Sequence, residues 1–161
     1  MAKGALLRVL VLSLVVLSAS TTLAFASTVT VQSTNDQVSV TLTILDAFYT
    51  DADGDGYEDD VVGYFDIHLY GRPRYTLDIY PSLVLPSGTT HTYLYTINTR
   101  LDTLHCTMYF YDHALESGNY TFAVEIVLYT GGVTAGEANY LFDPPGGSGD
   151  ADPCGFLVVS A

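Results

Sequence analysis

Ten consecutive residues hold most of the chemistry that can be read directly from this chain: Asp51-Ala52-Asp53-Gly54-Asp55-Gly56-Tyr57-Glu58-Asp59-Asp60. Six of them are carboxylates, and held close together without a cation they would repel one another. Asp51, Asp53 and Asp55 alternate, and Gly56 follows where a loop wrapped around an ion must turn sharply. In the register of a twelve-residue calcium loop they take positions 1, 3 and 5. Tyr57 offers its backbone carbonyl at position 7, and Asp59 falls at position 9. Position 12, where such a loop carries a bidentate Glu, is Val62. The missing carboxylate is therefore expected from Asp60 or from a distant loop. The expected cofactor is Ca2+, with Asp51, Asp53, Asp55, Tyr57, Asp59 and Asp60 as its ligands. The competing reading is a solvated acidic turn that needs no metal.

This spacing resembles the DxDxDG loops of EF-hands, dockerins and thrombospondin type 3 repeats. The flanks differ from the helices of an EF-hand. Thr41-Leu42-Thr43-Ile44-Leu45 precedes the loop and Val61-Val62-Gly63-Tyr64-Phe65 follows it, both rich in β-branched and aromatic residues. The loop is expected to join two β-strands.

Other candidate chemistry is sparse. His68, His91, His105 and His113 stand in different segments without the close spacing of a zinc site. Asp112-His113 could be half of a catalytic pair, but no nucleophile motif accompanies it. The carboxylates do not single out a glycosidase-like pair. These histidines are expected to be exposed or satisfied by neighbours, and no enzyme activity is expected. Asn119-Tyr120-Thr121 is a glycosylation sequon at a turn, with Asn119 as acceptor. Asp150 and Asp152 could form a second calcium loop, complete the first, or belong to an acidic linker.

Residues 1–26 read as a signal peptide. Lys3 and Arg8 open it, Val9 to Leu17 is apolar, and Ala24-Phe25-Ala26 is a small-x-small cleavage site. An uncut membrane anchor is the alternative. The remaining 27–161 has the size of a single domain. It carries three arginines, no lysine and all 18 acidic residues, a net charge of −15. With no basic patch to neutralise phosphates, nucleic-acid binding is excluded as an expectation. A secreted, cation-rich setting suits this balance. In an oxidising compartment Cys106 and Cys154 are expected to form a disulfide, closing a loop of about 50 residues for roughly 4 kcal/mol. Two buried thiols are the alternative.

The elements that must position the loop read as strands. Val38, Val40, Leu42 and Ile44 alternate with polar residues, and period two continues through Phe65-Ile67-Leu69, Tyr75-Leu77-Ile79, His91 to Ile97, Leu104 to Phe110 and Tyr120 to Leu128. Short runs at Ser27 to Val31, Ala138 to Phe142 and Phe156 to Val159 complete the set, and Pro81 is expected to end its strand. Residues 143–153 read as a Pro/Gly/Asp loop. The turn Leu115 to Asn119 followed by Tyr120-Thr121 and an alternating strand resembles the penultimate strands of Ig-like extracellular domains in prokaryotic surface proteins. The expected fold is all-β, an Ig-like β-sandwich of roughly seven to nine antiparallel strands, with a closed barrel as the alternative.

The expected role is a secreted or cell-surface calcium-binding structural or adhesive module. Its partners would be other surface proteins, further copies of itself in a fibre or layer, or glycans. A carbohydrate-binding module is the alternative, since 13 tyrosines and no tryptophan place Tyr93 with Tyr95, and Tyr109 with Tyr111, on single strand faces.

Overall fold

The computed structural model describes residues 26–32, 37–142 and 153–161. The expected signal peptide up to residue 25, the turn at 33–36, nearly all of the 143–153 loop and the Asp150/Asp152 pair lie outside the described residues.

Period two in the sequence becomes period two in burial, and the described chain is all-β. Its strands are β1 (Ser27–Gln32), β2 (Ser39–Thr50), β3 (Asp60–Tyr70), β4 (Tyr75–Val84), β5 (Thr90–Thr92), β6 (Tyr95–Thr99), β7 (Thr103–Tyr111), β8 (Tyr120–Leu128), β9 (Thr134–Phe142) and β10 (Cys154–Ser160). One antiparallel sheet has the order β1-β2-β3-β7-β10. The other has the order β5-β4-β8-β9, with β6 also paired to β4. The inward stripes of the two sheets close on each other as a β-sandwich. Leu42, Ile44, Phe65 and Ile67 meet Leu77, Ile79, Phe122 and Val124, all essentially inaccessible to solvent. Each such side chain contributes about 1.5–3 kcal/mol when buried.

Phe122 of the second sheet packs against Phe65 and Phe110 of the first, with ring centroids 6.1 and 6.0 Å away. Its ring lies directly on the backbone of Gly63, where a Cβ would collide with it. Glycine in the middle of β3 is thus a packing requirement, since any side chain there would expel the ring.

Two local expectations are corrected. Pro81 does not end its strand: β4 runs through it to Val84, and Pro81 pairs with Val124. Its carbonyl accepts the Tyr93 amide, which lies between the ends of β5 and β6. The missing proline N–H points to that same side, into the gap between two short edge strands, where no ladder bond is lost. The run His91 to Ile97 accordingly divides into β5 and β6, which brings the strands to ten.

β2 carries a bulge between Ile44 and Asp46. The extra residue, Leu45, is exposed, and the inward phase changes from even positions up to Ile44 to odd positions from Ala47. The β2–β3 hairpin then ends at the Thr50–Asp60 pair, leaving residues 51–59 as its loop.

Candidate metal centre

The loop is wound by its own carboxylates. Asp51 accepts the Gly54 amide on Oδ1 (2.7 Å) and the Gly56 amide on Oδ2 (3.1 Å). Asp53 Oδ1 accepts the Asp55 amide at 3.0 Å, and Asp55 Oδ1 accepts the Tyr57 amide at 2.8 Å. Aspartate favours such local side-chain-to-amide turns over regular structure. Gly56 supplies the sharp turn with φ +99°, a conformation costly for residues with a Cβ. Asp51, Asp53 and Asp55 converge, with one oxygen of each within 4.8 Å of the others.

Asp59 and Asp60 are both buried, at 1% and 0% exposure, but they do opposite things. Asp60 is a fastener. Its Oδ2 accepts the amides of Ala52 (2.6 Å) and Asp53 (3.1 Å), tying down the start of the loop. Its Oδ1 accepts the amide of Asp112 (2.9 Å), in the segment that carries the chain from β7 to β8 and so from one sheet to the other. Asp59 gives its backbone carbonyl to the Ala114 amide (2.6 Å), but both its carboxylate oxygens are buried with no hydrogen-bond partner among the described residues. Burial raises its pKa, and the negative charges of Asp55, Asp112 and Asp60 raise it further.

Asp112 completes the arrangement. It sits in the left-handed region at φ 59°, which aspartate tolerates better than most residues. One of its oxygens lies within 4.8 Å of Asp55 and Asp59, and it forms a further triad with Asp53 and Asp60. An isolated carboxylate buried without a partner is costly, and here several converge. The donor set is entirely oxygen, which suits a hard divalent cation and not zinc or copper.

Among the residues expected to bind metal, the structure brings together Asp51, Asp53, Asp55, Asp59 and Asp60. Tyr57 stays in the loop, with its side chain exposed. Asp112, from the segment between β7 and β8, joins this cluster. In the sequence it drew attention only as a neighbour of His113. Its place in the cluster follows from the pairing of β7 with β3, where Val61 stands opposite Phe110 and brings the two chain reversals to one end of the sheet.

No histidine belongs to these three clusters. His113 is buried, its Nδ1–H directed to the Tyr111 carbonyl and its Nε2 to the Tyr93 hydroxyl. Burial pushes its pKa down to about 4, so the ring is neutral. His91 packs edge-on against it at 4.4 Å, a proximity that the sequence spacing did not reveal. His105 hydrogen-bonds Asp66 at 2.8 Å, and His68 meets Thr103.

The expected Cys106–Cys154 disulfide is not formed. Its strands are neighbours, β7 and β10, but Cys106 pairs with Val159 and Cys154 with Tyr111. The thiols are thus five positions apart along the ladder, roughly 17 Å, and face opposite sides of the sheet. Cys106 is buried in the core, which pushes its thiol up to about 12, whereas Cys154 is exposed.

Tyr93 and Tyr95 pack against the core. Tyr109 and Tyr111 lie on the outer face, their rings stacked at 5.8 Å and 17°. Asn119 is exposed immediately before β8. No family, no characterised protein and no solved structure matches the chain, so the reading of this centre rests on its own geometry.

Proposed function

We propose that the chain is an exported β-sandwich stiffened by calcium, acting as a structural or adhesive module at or outside the cell surface. The observation that carries the metal is Asp59, a buried carboxylate without a hydrogen-bond partner among the described residues, grouped with Asp55 and Asp112. Calcium is favoured over magnesium because the candidate ligands come from an irregular loop plus a second chain segment. Calcium accepts six to eight oxygens in flexible geometry, whereas magnesium demands a near-ideal octahedron and retains water. The ion would bind the β2–β3 hairpin to the crossing between the sheets. It would therefore stiffen the sandwich at one end and need perform no chemistry.

Export and surface location are supported by the leader-like N-terminus, the acidic balance without lysine after it, and the all-β fold. The proposed partners are other surface proteins or further copies of the chain. A second reading, binding of glycans, is favoured by the stacked Tyr109–Tyr111 pair beside the exposed Phe156 on the outer face of the first sheet.

Thermal unfolding in low salt tests the proposal. Calcium 100-fold above its Kd adds about 2.7 kcal/mol, so chelation should lower Tm by roughly 5–15 °C. Calcium should restore Tm, and sodium at matched ionic strength should restore only part. An unchanged melting curve in chelator would reduce the loop to an acidic turn. Titration of calcium-loaded protein with soluble oligosaccharides, read by tyrosine fluorescence, separates the second reading from the first.

A further inference from the structure

A strand at the edge of a sheet leaves one row of N–H and C=O groups unpaired, and folds usually blunt such edges with short strands, charges or a covering segment. Three of the four edges of this sandwich are blunted in that way. β5 and β6 are short, at three and five residues, and the chain breaks between them at Tyr93 and Leu94. β9 carries the exposed Glu137, and its Asn139 amide donates to Ser27 Oγ of β1 at 3.3 Å. β1 is held to β9 again where the Thr134 hydroxyl donates to the Gln32 carbonyl at 3.4 Å, and Val31 fills the space above Gly136. The edge formed by β10 has none of these devices. Its seven residues, Cys154–Ser160, include no proline and no charge. Among the described residues no strand pairs with its far side. Leu157 packs against the core, while Phe156, Val158 and Val159 are 56%, 43% and 38% exposed.

We infer that β10 is a pairing edge for a second copy of this chain, the two β10 strands running antiparallel about a two-fold axis at Leu157 and joining two first sheets into one continuous sheet. The inference rests on the reading above that further copies of the chain are partners, and it makes no use of the metal centre. The register of β10 on β7 fixes its faces. Phe156 and Val158, opposite Tyr109 and Thr107, share the outer face, whereas Leu157 and Val159, opposite Met108 and Cys106, share the inner one. Antiparallel pairing centred on Leu157 keeps those faces. Phe156 then meets Val158 of the second copy, twice, on the outer face. On the inner face Leu157 meets its own counterpart and Gly155 meets Val159. These are apolar cross-strand pairs, the unit that stabilises a sheet. Each position finds its complement within the same seven residues, which is the requirement of a two-fold contact. Charge selects the place. Residues 27–161 carry −15, so two copies repel each other over most of their surface. Neither β10 nor the adjacent β7 contains an Asp, Glu, Lys or Arg, and pairing there sets no like charges face to face.

Sedimentation velocity in saturating calcium, across the micromolar range, is expected to show a monomer–dimer equilibrium, with slower hydrogen exchange at the β10 amides as concentration rises. Added sodium chloride should tighten the dimer, because it screens the repulsion between like-charged copies and leaves an apolar contact intact. Val158→Glu sets a carboxylate against Phe156 of the second copy, twice in each pair, and should raise the dimer Kd by about tenfold or more. Val133→Glu makes the same charge change in the exposed β8–β9 turn and should leave the dimer intact. Circular dichroism reports whether each variant is folded. Should Val158→Glu fail to fold, Phe156→Glu tests the same pair from its other member. Wild-type protein that stays monomeric overturns the pairing and leaves the calcium reading, judged by melting in chelator, standing. A dimer that Val158→Glu does not weaken, or that Val133→Glu weakens equally, overturns the assignment to β10. A dimer that loosens as salt is added would be held by charge, which overturns the apolar edge.

Discussion

Two carboxylates at different places in the sandwich are satisfied in opposite ways. Asp78 lies on the outer face of the second sheet, where three hydroxyls surround it: Thr96 at 2.6 Å, Tyr129 at 2.7 Å and Tyr80 at 3.5 Å. The hydroxyls of Thr96 and Tyr129 hold its carboxyl below the usual range. Asp59, in the turn region of the first sheet, is buried and has no hydroxyl or amide directed at its oxygens among the described residues. Its neighbours are other carboxylates. A charge satisfied by fixed donors belongs to the framework of the fold. A charge buried among like charges destabilises the framework until a cation reaches it. The exposed network therefore reads as structure and the buried cluster as a site.

The strongest test of this contrast is Asp60, the buried carboxylate of the same cluster that does have donors. Asp60→Ala removes three charge-assisted hydrogen bonds and should cost about 4 kcal/mol. Urea unfolding, with and without calcium, would measure it. A loss below about 1 kcal/mol would mean that Asp60 is no fastener.

His113 extends the contrast to a buried base with partners. In the unfolded chain it takes up its proton near 6.5, and in the fold only at about 4. Between these values the unfolded state binds more protons, so stability falls as the pH is lowered through that window, by about 3 kcal/mol at most. His113→Gln in chelator should flatten this part of the pH–stability curve. An unchanged slope would show that His113 does not stay neutral.

Asp59→Asn sharpens the comparison directly. In chelator the variant should be more stable than the wild type by about 1–2 kcal/mol, because a like charge is removed from a buried cluster. In saturating calcium the order should reverse. Equal behaviour in both media would remove Asp59 from the metal centre. The smallest effect is expected at Asp78. Asp78→Asn keeps an acceptor for the surrounding hydroxyls on an exposed face, and its melting curve should overlay the wild type with or without calcium.

Much of the fold was legible in the sequence. Alternation through Val38–Ile44, Phe65–Leu69 and Tyr120–Leu128 settles strand character, because a strand facing a core on one side must repeat every second residue. The wound loop was legible for a similar reason: Asp51, Asp53, Asp55 and Gly56 act within one turn of chain, where spacing alone sets geometry. Pro81 was misread because its meaning depends on which edge of β4 lacks a partner. The disulfide was misread because compartment and number can pair two cysteines, whereas the register of β7 against β10 sets them on opposite faces.

At the metal centre the division follows the distance along the chain over which each contact acts. The sequence by itself determined an acidic loop in ligand register between two strands, since those contacts span a few residues. Only the tertiary structure decided that Asp60 fastens while Asp59 is left without donors among the described residues, although the two are adjacent and chemically identical. That difference comes from alternating strand geometry at the start of β3 and from the β7–β8 crossing, which offers the Asp112 amide to one and the Asp112 carboxylate to the other. Contacts of this kind depend on strand order and register, which are set by the packing of the whole sandwich and leave no local signature.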